Sequence, residues 1–119
     1  MKLRIRGNSI RLRLTRGEVD RIAKGEPVEE TVALAPVPFA YSLTAREAVK
    51  IEAIFDGGSL SVIVPAHRAV EWASGDAVGM ETGDESEVKI LIEKDFACVK
   101  PRSGEDEADM FENPNPSAC

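Results

Sequence analysis

Soft-metal and nucleophile chemistry has little to work with in this chain. Its 119 residues contain two cysteines, Cys98 and Cys119, and one histidine, His67. A structural zinc takes four such ligands in locally paired spacing, so these three make only weak metal candidates. Two cysteines are also too few for the disulfide framework that compensates a thin core in small secreted domains, which points to free thiols in a cytoplasmic chain. With one histidine, a Ser or Cys triad would have to be built on His67, and no activated nucleophile flanks it. The glycine pair Gly57-Gly58 lacks the further glycines and lysine of a phosphate-cradling loop. The acidic run Glu105, Asp106, Glu107, Asp109 lacks the alternate spacing and central glycine of a calcium loop. No cofactor is expected.

Long apolar runs are missing as well. No stretch approaches the ~20 residues of a membrane-spanning helix, and the opening alternates Lys2, Leu3, Arg4, Ile5, Arg6, where a secretory signal would place an unbroken apolar run. A membrane role is therefore not expected. Aromatic residues make up only 5% of the chain, so a core must be built mainly from Val, Ile, Leu and Ala, for which 43% hydrophobic residues suffice.

What is present is a polarised charge. The net charge of -6 divides into +6 over residues 1–24, -4 over 25–75 and -8 over 76–119. A basic head and an acidic end can attract each other within one molecule, or each can seek an outside partner.

The pattern predicts one domain over residues 1–100 and an acidic, Pro- and Asn-containing tail over 101–119, either docked on the domain or extending from it. Apolar positions change phase at Gly7 and Asn8, which predicts a hairpin setting Ile5 opposite Ile10 and Leu3 opposite Leu12. A bulge in one continuous strand is the competing reading. Thr15 and Glu18 match a capping box, so a short helix follows to Ala23 and stops at Gly25 and Pro27.

Val28 to Leu34 and Phe39 to Thr44 read as strands joined through Pro36 and Pro38. Ala48 to Asp56 and Ser59 to Val64 form a second hairpin at Gly57-Gly58. Pro65 opens a second helix with Ala66, Ala69, Val70 and Ala73 inward. Residues 76–87 read as a polar connection, and Val88 to Val99 as a last, central strand covered on both faces. No internal repeat is visible. The fold class is α+β: a mainly antiparallel sheet or partly open barrel with two short helices and an acidic C-terminal tail.

The first hairpin gathers Lys2, Arg4, Arg6, Arg11 and Arg13 on one face. The simplest account is a solvated face whose methylene stems cover the sheet. A second lays the tail over it through Glu105, Asp106, Glu107, Asp109 and Phe111. A third gives it to an external anionic partner such as a nucleic acid or phosphorylated ligand, which the overall acidity and the shortage of aromatics weaken. A phosphate-processing enzyme would need paired carboxylates, whereas Glu29 and Glu30 point to opposite faces and Glu52 stands alone. The leading expectation is a non-catalytic binding or interaction module. The rivals are an enzyme or binder acting on a small phosphorylated or polyphosphate ligand, a metal site on Cys98, Cys119 and His67, and a tail that pairs two copies into a homodimer.

The opening KLRIRGNSIRLRLT and the late DFACVKPRSGEDEADMFENPNPSAC resemble a small family of uncharacterised bacterial proteins, a domain of unknown function. The resemblance runs the length of the chain. It implies a bacterial cytoplasmic protein whose tail belongs to the domain, and it carries over no activity, cofactor or site residue.

Overall fold

Two glycine turns organise the chain, and the computed structural model, which describes residues 1–96, shows why. β1 (Lys2–Arg6) returns through Gly7 and Asn8 into β2 (Ser9–Leu14), and β5 (Glu52–Asp56) returns through Gly57 and Gly58 into β6 (Ser59–Pro65). Gly7, Gly57 and Gly58 take positive φ of 56°, 60° and 84°, which a tight hairpin needs and side chains resist. Asn8 does not take it. Instead its side-chain amide donates to the Glu87 carbonyl at 2.8 Å. Both hairpins adopt the registers that alternation predicts, Leu3 opposite Leu12 and Ile5 opposite Ile10, Ala53 opposite Val62 and Phe55 opposite Leu60.

Each hairpin leads straight into a helix, α1 (Arg16–Ala23) and α2 (Ala66–Ser74). At α1 the capping box is complete: the Thr15 hydroxyl accepts from the Glu18 amide at 3.3 Å, and the Glu18 carboxylate accepts from the Thr15 amide at 2.9 Å. At α2 the N-cap is Pro65 and no side chain caps the helix. Its buried face is Ala69 and Trp72, whereas Ala66 and Val70 face solvent, a correction to the expected inward set. The Trp72 indole, too large to be covered by a short helix alone, turns inward and donates to the Val78 carbonyl at 3.0 Å.

The remaining strands are β3 (Val28–Val32), β4 (Phe39–Arg46), β7 (Gly79–Glu81) and β8 (Lys89–Lys94). They complete two four-stranded sheets, β1-β2-β8-β7 and β5-β6-β4-β3. The α+β class holds. Neither sheet closes into a barrel, and both are mixed: outer pairs are antiparallel, but β2 runs parallel to β8 and β4 parallel to β6. β8 is central, as its apolar run implies, and spans Lys89–Lys94, while residues 97–99 of the expected strand lie outside the described residues. Only Ile90 and Ile92 are buried, Leu91 lying half-exposed on the outer face. β7 lies inside the stretch expected to be a connection.

The two sheets reveal an internal repeat. Strand order, direction and register recur, with Gly7 and Gly57, Leu12 and Val62, Leu14 and Val64, Ile22 and Trp72 each fifty positions apart. Leu43, opposite Val62, answers to Ile92, opposite Leu12. The halves exchange strands reciprocally: the first sheet joins β1-β2 to β7-β8 of the second half, and the second joins β5-β6 to β3-β4 of the first. One hydrophobic core results, with Leu12, Leu14, Ile22 and Leu43 packed among Val62, Val64, Trp72 and Ile92. Burial of these side chains, each contributing about 1.5–3 kcal/mol against solvent exposure, holds both halves at once.

Candidate functional site

Alternation along β1 and β2 puts every apolar side chain of the hairpin toward the core, so the others project from the outer face of the first sheet. Register then sets Lys2 opposite Arg13 and Arg4 opposite Arg11, with Arg6 opposite Ser9. Like charges so placed cost some tenths of a kcal/mol per pair. The five predicted cations thus share one face, and β8 adds Lys89 beside Ser9 and Glu93 beside Arg13.

Neutralisation of this face is partial. A single oxygen of Glu93 lies 3.5 Å from Arg11 Nε and 3.3 Å from Arg13 Nε, and Lys2 Nζ reaches Asp95 at 3.1 Å. Arg4 and Arg6, both exposed, have no carboxylate within ion-pair distance among the described residues. β1 is also an edge strand, so one row of its backbone N–H and C=O groups faces outward.

A second feature lies at the turn end of the sheets, away from the helices. Ile5, Ile10, Phe39, Phe55, Leu60 and Val88 line an open groove of about 380 Å³ beside Gly7 and Asn8. Ile5 is 58% exposed and Phe55 66%. The lining joins the halves in equivalent pairs: Ile5 with Phe55, Ile10 with Leu60, and Phe39 at the start of β4 with Val88 just before β8. Phe39 stacks obliquely on Phe55, ring centres 6.4 Å apart. Sequence patterning identifies these residues as apolar-face positions but gives no sign that the described residues leave the layer uncovered at this end.

Elsewhere the groups with chemical potential are engaged or apart. The Met1 ammonium, itself buried, donates to Glu18 at 2.6 Å and Glu30 at 2.8 Å. Burial works against its charge, but the hydrogen bonds and charges of the two carboxylates outweigh that and raise its pKa. Burial likewise opposes ionisation of Glu18, and the ammonium with the Thr15 amide overrides it, lowering its pKa. The Tyr41 phenol, which donates to the Met1 carbonyl at 3.0 Å, is pushed up by burial and then by the charges of Glu30 and Glu18. Glu29 and Glu52 sit on opposite edge strands, so no carboxylate pair assembles from Glu29, Glu30 and Glu52.

His67 is exposed on the first turn of α2, and no cluster of three or more metal-ligating side chains forms among the described residues. Cys98, Cys119, Glu105, Asp106, Glu107, Asp109 and Phe111 lie outside the described residues. A cavity of about 490 Å³ next to Phe96 is lined by Arg16, Asp20, Lys94 and Asp95, charges of both signs, with the Lys94 amine donating to the Gly75 carbonyl at 3.0 Å. No helix among the described residues is long and apolar enough to cross a membrane.

Residues 1–115 match the model of a family of unknown function, DUF7009. The match therefore extends through the acidic segment. No curated protein and no solved structure matches the chain.

Proposed function

We propose that this chain, which belongs to that family of unknown function, is a non-catalytic binding module whose first sheet receives an acidic, extended polypeptide along β1. The observation that carries this reading is the internal repeat. Fifty positions after Lys2, Arg4, Arg6, Arg11 and Arg13 stand Glu52, Ile54, Asp56, Ser61 and Ile63, in the same register on the same kind of sheet. The backbone arrangement therefore needs no cations at these places. Charge on an edge strand guards against unwanted pairing, and that accounts for Glu52 and Asp56 on β5 as well as for charge on β1. It does not account for uniform positive sign, nor for Arg11 and Arg13 on an interior strand.

An extended acidic peptide fits the face best. Lys2, Arg4 and Arg6 recur every second residue, a spacing of roughly 6.6 Å that an adjacent strand with alternate carboxylates reproduces, while the free edge of β1 offers main-chain hydrogen bonds. Base-stacking aromatics are absent from this face among the described residues. Binding of poly-glutamate and of a single-stranded oligonucleotide at low salt tests the reading. Poly-glutamate should bind, and Arg4→Ala with Arg6→Ala should weaken it about tenfold, a loss of ~1.4 kcal/mol. Preference for the oligonucleotide, or indifference to the two arginines, would contradict it.

A further inference from the structure

We infer that the chain carries its own occupant for this site: residues 105–109 lie along the free edge of β1, and Met110 and Phe111 fill the groove between the hairpin turns. The inference rests on the anionic-partner reading above and names the segment that meets it first, so that an external partner must displace it.

Where the described chain ends is the first support. β8 runs antiparallel to β1, and its last residues lie at the Lys2 end, where Asp95 bridges to Lys2 at 3.1 Å. From there β1 leads past Arg4 and Arg6 to Gly7, at the mouth of the groove. Crossing from β8 over β2 and beyond β1 takes three strand spacings, about 14 Å. Residues 97–104 span up to ~27 Å when extended, so the crossing leaves slack.

Charge and spacing supply the second support. Glu105, Glu107 and Asp109 recur every second residue, as do Lys2, Arg4 and Arg6. A strand returning from the Lys2 end brings these carboxylates past the two guanidiniums that lack a carboxylate among the described residues. Met110 and Phe111 follow immediately, where β1 reaches its turn and Ile5 and Phe55 stand exposed. Beyond residue 96 the only other large apolar side chain is Val99, three residues past Phe96 and within ~11 Å of the wrong end of the sheet. The family match to residue 115 covers the whole segment.

Full-length protein with methyl-labelled Ile, Leu and Val tests this, with Trp72 emission confirming that each variant is folded. Met110→Ala with Phe111→Ala should shift the Ile5, Ile10 and Leu60 methyl resonances and leave Leu14 and Val64 unmoved. Glu105→Gln, Glu107→Gln and Asp109→Asn together should tighten poly-glutamate binding about tenfold, the equivalent of ~1.4 kcal/mol. Unmoved groove methyls would overturn the inference. So would NOEs between Phe111 and Ile5 that arise only between differently labelled molecules, since the occupant would then be a second copy. Poly-glutamate binding that depends on Arg4 and Arg6 but ignores the tail substitutions would sink the inference and leave the anionic-partner reading standing; binding that ignores Arg4 and Arg6 would remove that reading itself.

Discussion

The first sheet carries Lys2, Arg4, Arg6, Arg11 and Arg13 on its outer face, and the second carries Glu52, Ile54, Asp56, Ser61 and Ile63 at the equivalent positions. Their inner faces are alike, Leu12 and Leu14 answering Val62 and Val64, all buried. One backbone plan has thus been given two surfaces while its core chemistry stayed constant. The second sheet acts as a control for the first: a uniformly cationic face would serve folding equally well in either place, yet only one has it. A requirement outside folding best accounts for the difference.

The sharpest way to break this comparison is through the shared core. Ile22→Ala should cost about 2–5 kcal/mol and Trp72→Ala about 3–5 kcal/mol. Because strands are exchanged reciprocally, either lesion should melt both sheets together, so urea transitions by far-UV circular dichroism and by methyl resonances of each sheet should coincide. Separate transitions would mean that the halves are independent.

A smaller effect separates the halves at their helices. Glu18 caps α1 and holds the Met1 ammonium, whereas its counterpart fifty positions on is Arg68. Glu18→Ala should cost about 2–4 kcal/mol, combining a lost cap with a lost charged hydrogen bond. The pH dependence follows from the shift directions. The ammonium, raised from 8.0, contributes fully below that value, and its contribution is lost as pH climbs through the folded-state pKa. Glu18, lowered from 4.5, contributes above that value and loses its contribution as pH falls through its folded-state pKa. The urea midpoint should therefore plateau between the two and decline on both sides, and Glu18→Ala should flatten the acid limb.

Much of the fold was legible because its signals are local. Alternation around Gly7 and around Gly57-Gly58 gave both hairpins and their registers, and Thr15 with Glu18 gave the first helix. The parallel pairs β2/β8 and β4/β6 were not legible, since nothing near Leu12 points to Ile92 eighty residues later. β7 was hidden because Gly79, Met80 and Glu81 carry no alternation long enough to read. The repeat is hard to read because only Gly7, Ser9, Ala23, Gly25, Val28, Val49 and Lys50 recur unchanged fifty positions on, the core positions being preserved as apolar character rather than identity. The cationic face followed from register alone. The groove did not, because exposure of Ile5 and Phe55 depends on how the two hairpin ends meet.

The most direct measurement transplants one surface onto the other. Arg4→Ile, Arg11→Ser and Arg13→Ile give the first sheet three of the five outer residues of the second, removing the Arg4–Arg11 and Lys2–Arg13 oppositions at the expense of the half-exposed Glu93 pairs, terms of under about 1 kcal/mol each. The urea midpoint should be unchanged or slightly higher, and poly-glutamate binding should be lost. A transplanted chain that loses stability while its binding persists would show that the arginines serve the fold.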